Sequence, residues 1–185
     1  MIEDIIGAAT EKMDKTITNL SHEFSTVRTG RASAAMLERI SVSYYGAQTP
    51  ITQIASIKTP EAHLLVVEPW DKQIVNDVVK AIQASDLGIM PSNDGGIIRL
   101  PFPPPTEERR KELVKQCRHI AEEAKIAVRN ERRDANSKLE RLIKDADVSK
   151  DEVHRAEERI QKLTDKHIAE VDELLKRKEA EVMEV

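Results

Sequence analysis

Residues 106–145 read TEERRKELVKQCRHIAEEAKIAVRNERRDANSKLERLIKD, forty positions without a proline or a glycine. Leu113, Cys117, Ala121, Ala124, Val128, Ala135, Leu139 and Leu142 step by threes, fours or a seven, which is one apolar stripe of a 3.6-residue helix. Thr106 suits the N-cap, and Glu107 and Glu108 suit the positive end of the helix dipole. At 1.5 Å per residue this is a rod of roughly 60 Å. Apolar on one stripe only, it is not stable alone in water and must find partners.

Two further stripes supply them. Ile6, Ala9, Met13, Leu20 and Val27 recur at helical spacing, with Thr16 filling one gap, and predict a helix ending near Thr29 and Gly30. Ser149-Lys-Asp-Glu152 matches a capping box, after which Val153, Ile160, Leu163, His167, Val171, Leu174 and Val182 form the seam of a third helix. Packing the three stripes together gives a three-helix bundle.

The segment between the first and second helices differs in composition and in period. It holds all eight prolines, five of six glycines and four of five aromatics. Ile40, Val42 and Tyr44 alternate with polar residues, as do Ile98, Leu100 and Phe102, so both runs predict half-buried strands. HLLVVE at 63–68 is a further strand, SNDGG at 92–96 is a turn before IIRL, and Asp71 caps a short helix through Ile74, Val75, Val78, Val79 and Ile82. The expected fold class is α+β in two domains. A long three-helix bundle (1–29 plus 106–185) carries an inserted, β-rich sandwich-like domain (30–105).

The two connections run through Arg28, Thr29, Gly30 and Arg31, and through Pro103, Pro104, Pro105 and Thr106. Glycine permits unusual dihedrals and consecutive prolines stiffen an extended backbone, which suits a two-strand hinge of limited freedom. The alternative is a pair of short linkers.

Charged residues make up 34% of the chain against roughly 25% in ordinary globular proteins, and aromatics only 3%, so a single large core is not expected. The net charge of -4 argues against a general nucleic-acid binder. That charge is uneven: residues 107–144 hold twelve basic and eight acidic side chains, whereas 145–185 hold eight and thirteen. The lone Cys117 excludes an internal disulfide and lies on an apolar seam. An acidic N-terminus and a longest aliphatic run of LLVV predict a cytoplasmic protein without a leader or membrane span.

No phosphate-binding loop is present, since Gly95-Gly96 lacks both the spacing and the lysine. The histidines at 22, 63, 119, 154 and 167 have no paired metal-ligand spacing, and His119 near Glu122 and Glu123 is a combination any charged helix produces. His167 is expected as a packed edge residue. Adjacent carboxylates such as Glu122-Glu123 point apart on a helix and suit solvation better than acid–base work. Neither a catalytic residue, a metal nor a cofactor is expected.

The arginines are the remaining chemistry. On a helical wheel Arg118, Lys125, Arg129, Arg132 and Asn136 fall within about 60° of one another, with Arg133 at the edge, roughly a quarter-turn from the apolar seam. Such a stripe suits the phosphates of an A-form RNA helix, which is recognised by shape and backbone, and arginine's planar fork suits phosphate. The alternative is a solvated face laced with salt bridges, and Glu122 lies in the same stripe.

VRTGRAS at 27–33, TEERRKEL at 106–113 and VRNERRDAN at 128–136 resemble the bacterial ribosome recycling factor family, and the likeness covers essentially the whole chain. The resemblance implies an L-shaped protein that binds the post-termination ribosome, chiefly through large-subunit ribosomal RNA. With elongation factor G and GTP it implies splitting of that ribosome into subunits. It further implies that Arg132 is the central RNA contact, with Arg129 and Arg133 beside it, Arg110 at one end of the bundle, and Arg28 and Arg31 flanking Gly30. The hinge residues it implies are Thr29, Gly30, Pro103, Pro104 and Pro105. One departure is Glu131, an acid where the family more often has an aliphatic residue, which either weakens phosphate contacts or pairs with a neighbour.

A monomeric translation factor is thus the leading reading. A helical adaptor that binds partner helices through its seams is the alternative, and an enzyme comes third.

Overall fold

The computed structural model describes residues 1–184. In chain order the elements are α1 (Ile2–Thr26), β1 (Ser41–Tyr44), β2 (Ala47–Pro50), β3 (Ala55–Glu61), β4 (Leu64–Pro69), α2 (Val75–Ala84), β5 (Ser92–Asp94), β6 (Ile97–Pro101), α3 (Glu107–Asp145) and α4 (Lys150–Met183). They form two compact units, Met1–Arg28 with Glu107–Met183, and Thr29–Thr106 with Glu184.

The first unit is a bundle of α1, α3 and α4. Leu20, Phe24 and Val27 gather with Leu113, Cys117, Ala121, Ala124, Val171 and Val182 at one end. Ile6 and Ala9 gather with Ala135, Leu139, Val153, Ala156 and Ile160 at the other. These pairings run α1 and α4 each antiparallel to α3, hence parallel to one another. Helix α1 stops at Thr26, three residues before the periodicity suggests, because Val27 is already extended (φ -72°, ψ 112°) while its side chain stays buried in the stripe.

Between the two clusters, Met13, Val128, Thr164 and His167 are all buried to within 1% of complete. His167 is therefore a core residue rather than the packed edge its sequence position suggests. Its Nδ1 lies 2.7 Å from the Leu163 carbonyl and its Nε2 2.7 Å from Asp14 Oδ1. With a partner at each nitrogen the ring is tolerated in the interior, as buried polar groups must be.

The second unit contains two antiparallel sheets, β1-β2 and β3-β4-β6-β5. Val42, Leu65, Val67, Ile98 and Leu100 from the strands share one core with Val78 and Ile82 of α2. Asp71 Oδ1 accepts from Gln73 N at 2.9 Å ahead of α2, and Gly95 and Gly96, both at positive φ, turn β5 into β6. Strands β2 and β3 are not predicted by the alternation rule, and Ser92–Asp94, expected within a turn, forms the short strand β5. The β1-β2 turn uses Tyr45 (φ 49°) and Gly46 (φ 78°), and tyrosine disguises a turn that normally announces itself with asparagine. Strand β3 contains Pro60, which it tolerates at the sheet edge beside an irregularity between Lys58 and Glu61.

The capping box before α4 is complete. Glu152 N donates to Ser149 Oγ at 3.2 Å, and Glu152 Oε2 accepts from Ser149 N at 3.2 Å and Ser149 Oγ at 2.8 Å. These hydrogen bonds from Ser149 hold the Glu152 carboxyl below its ordinary value of 4.5. A depressed carboxyl stabilises the fold above its unfolded pKa and loses that contribution as pH falls through its folded one. Ser149→Ala is expected to cost about 1 kcal/mol at neutral pH. In chemical denaturation followed by helical circular dichroism, its gap from the parent should narrow below about pH 4.5.

Candidate nucleic-acid interface

Helix α3 presents a polar edge to α4, and the two helices close it with charge. Arg118 Nε donates to Glu179 Oε1 at 2.6 Å, and Lys125 Nζ lies 2.5 Å from Asp172 Oδ1. The Glu179 carboxylate raises the Arg118 guanidinium above its ordinary value. The helical wheel places these two cations on the arginine stripe. Their charges are compensated across the bundle, which the wheel of a single helix cannot reveal.

The rest of the stripe is Arg129, Arg132 and Arg133, which span roughly 6 Å of helix axis. Arg129 Nη1 is 3.3 Å from Glu122 Oε1, a long contact between exposed side chains. Arg132 Nη1 donates to Gln161 Oε1 at 3.1 Å and Arg133 Nη1 to Asn130 Oδ1 at 3.3 Å. Among the described residues, Arg132 and Arg133 thus meet neutral amides and no carboxylate. Asn136, one turn beyond Arg132, has a buried Oδ1 with no hydrogen-bond partner among the described residues.

Glu131 does not sit between the arginines as a competitor. Its Oε2 lies 3.1 Å from Lys12 Nζ on α1, and that contact raises the Lys12 ammonium above its ordinary pKa. Lys12 also approaches Asp134 to 3.8 Å, and Lys138 holds Asp134 at 2.7 Å. Both acids of the segment are neutralised on the side away from α4.

The other expected contacts lie apart from this trio. Arg110 is roughly 30 Å away along α3, half-buried, with its Nε lacking a hydrogen-bond partner among the described residues. Arg28 is exposed at the end of the first bundle segment, and Arg31 pairs with Glu184 at 2.6 Å. Among the described residues no group of three His, Cys, Asp or Glu is placed to hold a metal ion, and no helix is long and apolar enough to cross a membrane. His119 meets Glu123 at 3.3 Å as an exposed pair one turn apart.

The two linkers are held at the edge of the inserted unit. Gly30 has φ +77°, and a Cβ there would come within 3.1 Å of Pro105 Cδ. The β3-β4 turn fastens both linkers: His63 Nδ1 donates to Gly30 O at 3.1 Å, Ala32 N to Ala62 O at 2.7 Å, and Phe102 N to His63 O at 2.7 Å. Thr29 is buried, while Pro103 and Pro104 are exposed.

A family model described as ribosome recycling factor matches residues 20–183. The chain belongs to the ribosome recycling factor family. Ribosome-recycling factors of Geobacillus thermodenitrificans and Carboxydothermus hydrogenoformans are each 53% identical to it over 185 residues, covering the whole of both chains. A solution structure of a ribosome recycling factor is 43% identical, with a TM-score of 0.71 over 98% of this chain and 97% of that one. A second solved chain, also 43% identical, has a TM-score of 0.62 over 99% of each chain. It comes from models of the Thermus thermophilus ribosome recycling factor and the Escherichia coli elongation factor G bound to the E. coli post-termination complex.

In this member of the recycling factor family, Gly30 combines a left-handed backbone with a close proline neighbour. Gly30→Ala is expected to destabilise the inserted unit by roughly 1–2 kcal/mol. Loss of dispersion in the methyl signals of Leu65 and Val67 during denaturant titration would report it. Unchanged stability would mean that the linker relaxes without cost.

Proposed function

We propose that this chain is a cytoplasmic translation factor that binds the post-termination ribosome, chiefly through large-subunit ribosomal RNA. With elongation factor G and GTP, it splits that ribosome into subunits. Full-length membership of the recycling factor family supports this, and so does the solved assembly in which a 43% identical chain and elongation factor G are bound to a post-termination complex. The proposed RNA contacts are Arg132 at the centre, Arg129 and Arg133 beside it, with Arg110, Arg28 and Arg31 as outlying contacts. At residue level, the observation that carries the reading is the pair Arg132 and Arg133, whose guanidiniums meet neutral amides within an acidic protein. Uncompensated cations on a rigid helix suit phosphate, and the surrounding negative charge restricts binding to sites that accept one basic ridge.

The chain performs no covalent chemistry in this reading. Elongation factor G supplies the nucleotide hydrolysis, and the recycling factor acts as a monomer that transmits force. Thr29, Gly30, Pro103, Pro104 and Pro105 serve as the hinge between the bundle and the inserted domain. The adaptor reading loses its surface, since the apolar stripes of all three long helices are buried in one another.

The test is subunit release from post-termination ribosomes with elongation factor G and GTP. The parent chain is expected to split them, with large-subunit affinity falling steeply as salt rises. Arg132→Ala is expected to bind roughly 3- to 10-fold more weakly at low salt and to flatten the salt dependence by about one contact's worth. Affinity unchanged by salt would exclude the phosphate mechanism, and absence of splitting by the well-folded parent would exclude the function.

A further inference from the structure

The ion pairs between α3 and α4 follow a regular step. Arg118 pairs with Glu179 and Lys125 with Asp172, so seven residues forward on α3 correspond to seven residues back on α4. Seven residues is close to two helical turns, which returns each chain to the same edge. The next rung of this ladder places Arg132 opposite Asp165.

That rung is open. Arg132 Nη1 donates to Gln161 Oε1 at 3.1 Å, and Gln161 Nε2 donates to Asp165 Oδ1 at 2.8 Å. Gln161 lies one turn before Asp165 on α4, and its amide bridges guanidinium and carboxylate. The amide has only one workable orientation, because reversing it would set NH2 against the guanidinium and C=O against the carboxylate. Asp165 thus orients the glutamine, and the glutamine holds the arginine fork through a neutral oxygen.

We infer that Gln161 is a positioning residue that keeps Arg132 out of the inter-helix ion-pair ladder, so that its guanidinium is presented uncompensated and in a fixed orientation. The role it serves rests on the proposed RNA contact of Arg132; the insulation itself does not. Arg118 and Lys125 show the alternative fate of a cation on this edge, closed onto a carboxylate that a phosphate would have to displace. Without the amide, Asp165 is the carboxylate that falls to Arg132.

The experiment compares binding to purified large ribosomal subunits, across a salt series, for the parent, Gln161→Ala, Gln161→Ala with Asp165→Asn, and Arg132→Ala. A crystal structure of Gln161→Ala accompanies it. Gln161→Ala should weaken low-salt binding roughly 3- to 10-fold and reduce the salt slope by about one contact, as Arg132→Ala does. Adding Asp165→Asn should restore binding to within about twofold, because the carboxylate of that rung is gone. A merely structural role for Gln161 would not be rescued that way. Parental binding by Gln161→Ala while Arg132→Ala is weak would overturn the inference, as would a double variant no better than Gln161→Ala. If Arg132→Ala itself binds like the parent, the RNA reading of Arg132 fails, and the crystal structure then decides. Arg132 within about 4 Å of Asp165 sustains the insulation, and a rung still open overturns it.

Discussion

The bundle depends on α3 serving two partners at once. Helices α1 and α4 each carry a single apolar stripe, and neither is stable alone in water. Both stripes meet α3, whose seam places small side chains at the shared contact: Ala121, Ala124 and Ala135, with Ala9 from α1 and Ala156 from α4. Small residues let the helix axes approach closely, so a chain with only 3% aromatics still excludes water along a seam of 39 residues. A slender bundle of this kind has much surface for its volume, and most of α3 outside the seam is polar edge.

What happens along that edge follows from antiparallel packing. Cations on α3 face acids on α4, and where they meet directly they cancel, as Arg118 and Lys125 do. On the α1 side Lys12 takes up Glu131 and approaches Asp134. The charges that remain sit near the middle of α3, beside the buried layer of Met13, Val128, Thr164 and His167. An acidic protein thereby keeps a small basic ridge without becoming a basic protein.

Local signals carried most of the fold. The cap signal at Thr106 set α3 to within a residue of its observed start, and the Ser149–Glu152 box marked the start of α4, because both depend on neighbours in sequence. Strands β1 and β6 were legible from alternation and β4 from its aliphatic run, whereas β2 and β3 were hidden by a tyrosine in a left-handed turn and by an edge-strand proline, and β5 by the turn residues that compose it. The basic stripe was legible as a stripe only. Which of its members are spent on ion pairs depends on the register between α3 and α4, and Glu131's partner comes from α1, more than a hundred positions earlier. His167 follows the same rule, since its burial requires Asp14 at the far end of the chain.

The placement of the inserted unit also orders events during synthesis. Helices α3 and α4 are joined by only four residues, Ala146–Ser149, so their pairing is local and rapid. Helix α1 ends at Thr26, and its first partner begins at Glu107, beyond the whole inserted unit. At typical bacterial elongation rates that gap lasts on the order of ten seconds. Throughout it, the stripe of Ile6, Ala9, Met13 and Leu20 lacks its partner on α3, while the inserted unit has all its own strands and can fold ahead of it. Of the three long helices, α1 waits longest for a partner.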